Sequence, residues 1–264
     1  MLSRKALAAS VEATGGGGIW DVTSSTFQFA ADTYPFGIPY GFRWRPDGSA
    51  HYVVESTTIY EYNSNGSFIP STSLGGNTFA VSGAVSTLYS LVFSQDGTKI
   101  YTSDGYDFFQ INLSTAWDLS TASTTISAGL SLGLTTRYLL DINGSGTEII
   151  VLASNGYYAL TMTTPYDITT ASLGSFVSKT LLSSNPRGGK FTSDGSQAMF
   201  VDYNGDTVYV VNLSTAYDMS TATVSSSYYY GGTQSVANSL DALESPLDFF
   251  LLYTPNDFVY KYTM

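Results

Sequence analysis

The sequence predicts an all-β chain folded as a five-bladed β-propeller of four antiparallel strands per blade, and three observations carry that expectation. The first is a period: Gly48, Gly97, Gly146 and Gly195 stand 49 residues apart, each closing a polar turn after a strand-like run. The turns read Arg45-Pro46-Asp47-Gly48, Ser94-Gln95-Asp96-Gly97, Asn143-Gly144-Ser145-Gly146 and Thr192-Ser193-Asp194-Gly195. The second is a parallel register, in which Tyr60, Phe109, Tyr158, Tyr209 and Tyr260 follow one another at 49, 49, 51 and 51 residues. Repetition at this length in strand-rich sequence marks an array of blades. The third lies at the two ends, where one half of a repeated loop is missing from the last repeat and present near the first.

Taken in order, residues 1–18 are an N-terminal arm and residues 19–264 the propeller. The apolar centre of the arm, residues 6–9, is short of the ~7 to 15 residues of a signal-peptide core. Gly15-Gly16-Gly17-Gly18 is a flexible hinge by composition. Leu2, Arg4, Lys5 and Leu7 are the arm residues expected to dock on neighbouring subunits. Next comes Trp20-Asp21-Val22-Thr23-Ser24-Ser25-Thr26, the missing half-loop. Its complete form is Leu113-Ser114-Thr115-Ala116-Trp117-Asp118-Leu119-Ser120-Thr121-Ala122-Ser123. It recurs as Met162-Thr163-Thr164-Pro165-Tyr166-Asp167-Ile168-Thr169-Thr170-Ala171-Ser172 and over residues 213–223. The chain stops at Thr263-Met264, where the loop should begin again. A closed ring follows, with the N-terminal strand completing the last blade. Outer strands are expected to begin near Thr26, Thr78, Thr124, Val177 and Val224, each followed by three more strands. Loss of residues 20–30 should open the ring.

Composition agrees. Apolar residues make up 43% and aromatic residues 15%, enough for a core, and Tyr, Thr, Val and Phe suit strands while 25 Gly supply turns. Only 12% of residues are charged and the net charge is −11, so phosphate backbones are repelled and nucleic acid is not an expected partner. No apolar run approaches the ~18 residues of a membrane-spanning helix. The chain has no cysteine, and His51 is its single histidine. These counts set aside Cys nucleophiles, His-based triads and poly-His metal sites, and no cofactor is expected.

The strand before each glycine turn holds the sharpest candidate for chemistry. Trp44, Phe93, Ile142, Phe191 and Ala242 are equivalent and apolar, as are Phe42, Leu91, Leu140, Gly189 and Leu240 if Gly is counted as small. Between them stand Arg43, Val92, Asp141, Lys190 and Asp241, so four of the five innermost strands carry a charge, and the signs alternate from blade three around to blade one. Side chains alternate faces along a strand, which turns these charges away from the core-facing set. Asp141 and Asp241 are candidates for a paired-carboxylate glycoside hydrolase. The competing expectation is a self-neutralising ring of ion pairs, each carboxylate having a cationic neighbour that lowers its pKa, where a general acid needs its pKa raised.

Three residues earlier come Tyr40, Tyr89, Tyr138, Arg187 and Asn238, at the mouth where the innermost strands begin. They are a candidate ligand-binding rim for a sugar or peptide, or a cap on the core. Asp104-Gly105-Tyr106-Asp107 and Asp202-Tyr203-Asn204-Gly205-Asp206 are rich in oxygen ligands, yet neither has EF-hand spacing and both fall at hairpins. Tyr228-Tyr229-Tyr230 on an outer strand must expose at least one ring. Asn65, Asn112, Asn143 and Asn212 head Asn-x-Ser sequons.

The run Phe93-Ser94-Gln95-Asp96-Gly97-Thr98-Lys99-Ile100-Tyr101, with the Trp117-Asp118 loop after it, resembles the propeller repeats of virion-associated proteins of tailed bacteriophages. Similar repeats occur in some secreted bacterial proteins. The resemblance covers nearly the whole chain after Gly18. It departs in blade one, where Asn63-Ser64-Asn65-Gly66 replaces the Trp-Asp loop, and in blade five, where Glu244-Ser245-Pro246 replaces the Asp-Gly turn. The repeat carries no catalytic residue, so it transfers context and not chemistry. It implies a non-enzymatic structural or adhesion component of a virion, on the tail, a fibre or the capsid surface, with the arm docked to other virion proteins. A lectin-like receptor-binding module that takes a host-surface glycan is the alternative, and a glycoside hydrolase a third.

Overall fold

The computed structural model describes residues 19–32, 38–64, 66, 68–69, 74–84, 86–130, 138–179, 185–231, 237–253 and 258–264. The N-terminal arm, with Leu2, Arg4, Lys5 and Leu7, lies outside the described residues. The chain forms five antiparallel sheets arranged as a five-bladed propeller. From the axis outward, blade one is Pro39–Trp44, Ala50–Glu55, Thr58–Asn63 and Leu74–Ala80. Blade two is Val92–Phe93, Lys99–Ser103, Phe108–Leu113 and Ala122–Ser127. Blade three is Tyr138–Ile142, Glu148–Ala153 and Gly156–Met162, with an outer strand in two pieces, Ala171–Leu173 and Val177–Ser178. Blade four is Pro186–Phe191, Gln197–Asp202, Thr207–Leu213 and Ala222–Tyr229.

Blade five closes the ring. Its three inner strands, Ala237–Ala242, Asp248–Tyr253 and Phe258–Thr263, come from the C-terminal end, and its outer strand is Thr26–Asp32. Thr26 pairs with Thr263 and Asp32 with Phe258, so the first and last strands of the domain share one ladder. The half-loop before that strand is latched to blade four. The Trp20 N–H donates to Gln197 Oε1 at 2.8 Å, Gln197 Nε2 returns a bond to the Trp20 carbonyl at 3.1 Å, and the Val22 N–H donates to Ser226 Oγ at 3.2 Å. Two of the complete loops are latched in the same sense to the blade before them. The Leu119 N–H donates to Glu61 at 3.2 Å and the Ile168 N–H to Gln110 at 2.9 Å.

The core is divided among the blade interfaces. Five apolar clusters lie between successive blades, and the cluster of Phe42, Trp44, Tyr62, Phe250 and Leu252 joins blade one to blade five. Each sheet is therefore covered on both faces, which explains strands with almost no polar face, such as Asp248–Tyr253, buried along its whole length.

The 49-residue glycine has two physical causes. Gly48, Gly97, Gly146 and Gly195 have φ of 70°, 70°, 68° and 70°, a region costly for any residue with a Cβ. Each also lies under an aromatic ring. A Cβ on Gly97 would overlap the Trp117 indole, one on Gly146 the Tyr166 ring and one on Gly195 the Tyr217 ring. These aromatic residues themselves take φ of 62°, 60° and 63°, held there by N–H bonds to the carbonyls of the same glycines at 2.9, 2.7 and 2.9 Å. The next residue, Asp118, Asp167 or Asp218, caps a one-turn 3-10 helix (Leu119–Thr121, Ile168–Thr170 and Met219–Thr221) by accepting from the N–H two residues on. Blade one, which lacks the Trp-Asp loop, fills the seat over Gly48 with Phe68 at φ 51°.

Gly97 and Gly129 separate the two causes, since Gly129 has φ 65° with nothing within 4 Å of a Cβ. Gly129→Ala is expected to lose about 1 kcal/mol, the left-handed penalty alone. Gly97→Ala should lose that plus about 1–3 kcal/mol for overpacking against Trp117. Denaturant unfolding of both variants checks this, and equal losses would contradict the role given to the aromatic seat.

Candidate functional site

The innermost strands carry the polar groups, because alternation sends Phe42 and Trp44 into the interface with blade five and Arg43 toward the axis. The Arg43 side chain is buried at 5% exposure. Its guanidinium crosses the channel and bonds backbone carbonyls of several blades. Nη1 donates to Leu240 O at 2.7 Å and to Phe42 O at 3.3 Å, while Nη2 donates to Leu140 O at 2.8 Å and to Gly189 O.

The two carboxylates fasten neighbouring inner strands from the other side. Asp141 Oδ2 accepts from the N–H of Phe191 in blade four at 3.1 Å, and Oδ1 from its neighbour Ile142 at 3.0 Å. Asp241, fully buried, accepts from the N–H of Trp44 in blade one at 2.7 Å, from Ala242 N–H at 2.9 Å and from Lys190 Nζ at 3.2 Å. All four charges named from the sequence thus meet at the axis. Val92, the uncharged fifth member, is buried against Leu139 and Ile142.

The sequence expectation for the carboxylate pKa is corrected at Asp141. Burial raises it above the ordinary carboxylate value, and this outweighs the opposing pull of Arg43, Lys190 and the two backbone N–H groups. Desolvation is thus the larger effect there, and the neighbouring cations only reduce it.

At the mouth where the inner strands begin, the rim side chains contact one another. Tyr40 meets Tyr89 edge-on at 5.4 Å, and Tyr89 meets Tyr138 at 5.7 Å. The Arg187 guanidinium lies 4.8 Å from the Tyr138 ring centre and 3.5 Å from that of Tyr203. Arg187 donates to Asn238 Oδ1, and Asn238 donates to the Pro39 carbonyl of blade one at 3.3 Å. The rim residues form a belt of mutual contacts that runs once round the axis.

The opposite mouth is open. On the side of the glycine turns lies a cavity of about 400 Å³. Arg43, Asp141 and Lys190 form its floor, and Trp44, Phe93, Trp117, Phe191 and Tyr217 contribute aromatic wall. Gln95, Ser193 and Glu244 stand at the turns around it. Phe93 stacks on Trp117 at 4.5 Å, and Phe191 meets Tyr217 edge-on at 5.3 Å. The sequence picked out the floor of this cup and missed its walls. The signal for Trp117 and Tyr217 was their shared place in the repeated loop, whose direction of lean depends on the positive φ.

The remaining candidates find local structural roles. The Asp104 carboxylate accepts from the N–H groups of Tyr106 and Asp107, and Asp202 from Asn204, as hairpin turns do. Among the described residues, no group of three or more His, Cys, Asp or Glu is placed to hold a metal ion. Asn112 accepts from Gln110 at 2.7 Å, and its repeat equivalent Asn212 from Gln197 at 3.0 Å. In the tyrosine triplet Tyr229 is exposed and Tyr230 buried. His51 stacks on Tyr62 with ring centres 5.2 Å apart and packs against Trp44 at 4.9 Å. Among the described residues, no helix is long and apolar enough to cross a membrane.

No family model and no curated protein sequence matches the chain. Among solved structures, glutaminyl cyclase of Myxococcus xanthus is similar with a TM-score of 0.61, over 90% of this chain and 95% of that one, at 8% identity. The Cps50 (Swd1) β-propeller domain of Myceliophteria thermophila is similar with a TM-score of 0.49, over 91% and 99%, at 10% identity. At such identities the likeness is one of fold, and that fold is shared with an enzyme.

His51 supplies a pH test of the core. Burial lowers its pKa from 6.5 to about 3, so it is neutral in the folded chain while the unfolded chain takes up a proton below 6.5. Stability should therefore fall as pH drops from 6.5 toward 4, by up to about 1.4 kcal/mol per pH unit. Asp194, whose pKa is lowered by hydrogen bonds from Ser196 and Thr192, loses its contribution only below its unfolded value of 3.8, outside that window. Urea unfolding at stepped pH should show this acid loss in the native chain and a clearly smaller loss in His51→Leu, where the carboxylates of Asp141 and Glu148, their pKa values raised by burial, still titrate with the opposite sign. An equal slope in both would contradict the assignment.

Proposed function

We propose that the chain is a non-enzymatic structural and adhesion component of a tailed-phage particle. On this reading the propeller presents a binding surface on the tail, a fibre or the capsid, and residues 1–18 dock it to neighbouring particle proteins. The observation that supports the non-catalytic half is the use of the axial charges. Arg43 is bonded to four backbone carbonyls, and Asp141 and Asp241 each accept two backbone N–H bonds. A general acid must release and regain a proton at a substrate atom. Here protonation of Asp241 would weaken its ion pair with Lys190 and the contact between blades five and one. The repeat resemblance supplies the particle context, and a secreted bacterial protein is the other setting it allows.

A carbohydrate-binding receptor module is the second reading, favoured by one observation, the aromatic-walled cup with charged groups at its floor. The two readings are compatible, since adhesion proteins are built into particles.

The assembly claim is tested by cross-linking through Lys5 in native particles, followed by identification of the linked peptides. Links to a different polypeptide are the expected result. Links confined to the chain's own propeller would contradict docking by the arm and leave an independent binding module.

A further inference from the structure

We propose that the open cup binds one uncharged sugar ring, by stacking on aromatic wall and by hydrogen bonds at the floor. The inference deepens the adhesion reading and rests on it, and it places the ligand at the glycine-turn mouth, away from the tyrosine belt.

The shape and lining of the cup lead there. The cup's volume, about 400 Å³, lies in the range of small-molecule sites. Its aromatic wall includes Trp117 and Tyr217, both half-buried; Trp117 is stacked by Phe93 and lies over Gly97, and Tyr217 lies over Gly195 with Phe191 edge-on beside it. Aromatic faces of this kind accept the C–H face of a pyranose, which is apolar on its faces and polar at its edges. The Tyr217 hydroxyl is fixed by the Ser193 carbonyl at 2.5 Å, so the ring is pre-positioned.

The floor offers both senses of hydrogen bond. Lys190 Nζ has its ion pair with Asp241 and is partly exposed, which leaves ammonium donors for the cup. Asp141 supplies carboxylate lone pairs beyond the two used on backbone N–H groups. A hydroxyl both donates and accepts, so a ring of vicinal hydroxyls matches an interleaved set that a purely anionic or cationic ligand does not.

Charge selects the uncharged ligand. Among the lining residues Arg43 and Lys190 stand against Asp141 and Glu244. The Arg43 donors are already on carbonyls, Glu244 accepts from the N–H and hydroxyl of Ser193, and Lys190 is paired with Asp241, so the charges of the cup are largely matched within the chain and favour hydrogen bonding to hydroxyls over capture of an ion.

The test uses the full chain, with tryptophan fluorescence and saturation-transfer NMR as readouts. The probes are glucose, galactose, mannose and N-acetylglucosamine, with glucuronate and glucosamine as charged comparators. At least one uncharged probe should bind in the millimolar range or tighter, more tightly than either charged comparator. Lys190→Met and Gln95→Ala should each weaken it roughly tenfold, and Tyr40→Phe at the opposite mouth should leave it unchanged. Gln95 is an exposed turn residue that lines the cup and hydrogen-bonds the Tyr217 side chain, so its variant keeps the test valid should Lys190→Met lose its fold. Absence of binding by all four uncharged probes, preference for a charged comparator, or binding indifferent to both cup variants would overturn the proposal. None of these outcomes bears on whether the arm cross-links to a particle protein, so the two claims fail separately.

Discussion

The Arg43 guanidinium is the interaction on which the rest of the ring depends. In a propeller each innermost strand has one edge with no neighbouring strand, and its carbonyls and N–H groups face the axis. Buried backbone groups need partners, and a five-bladed channel is too narrow to supply them all with bulk water. Arg43 meets the carbonyls of Leu140, Gly189 and Leu240, one from each of blades three, four and five, from its own position on blade one. Asp141 and Asp241 meet N–H groups of Phe191 and Trp44, which no cation could do. Donor and acceptor charges are thus divided according to which backbone group needs satisfying, and the alternation of signs follows from that division.

This arrangement shapes what the propeller can bind. With the guanidinium across the axis and the belt from Tyr40 to Asn238 around one end, the described residues leave an aromatic-walled cup at the glycine-turn end. The cup floor is rigid because its charges also hold the blades. Its wall comes from loops that are themselves pinned, by the glycine carbonyls and by the aspartate-capped turns. A pre-formed, mixed-polarity cavity on a rigid scaffold suits recognition more than proton transfer.

Much of this was legible in the chain. The glycine period, the aromatic register and the split Trp-Asp loop gave the number of blades and the closure by Thr26–Asp32. Strand alternation placed Arg43, Asp141, Lys190 and Asp241 on the axis. What could not be read was their partners, since a backbone carbonyl leaves no mark on the residue type, and Leu140, Gly189 and Leu240 look like ordinary core positions. The sign of the Asp141 shift was missed because desolvation depends on three-dimensional burial, while neighbouring charges can be counted from sequence. Phe68 over Gly48 was missed because blade one reaches the same seat from a loop of different length.

The central claim is that the axial charges hold the ring together, and Arg43→Met tests it most directly by keeping much of the side-chain volume while removing every donor. The account predicts a loss of about 3–5 kcal/mol in urea unfolding at neutral pH, the range for breaking a buried charged network from one side. A variant within about 0.5 kcal/mol of the native chain, the range of an ordinary surface substitution, would contradict it.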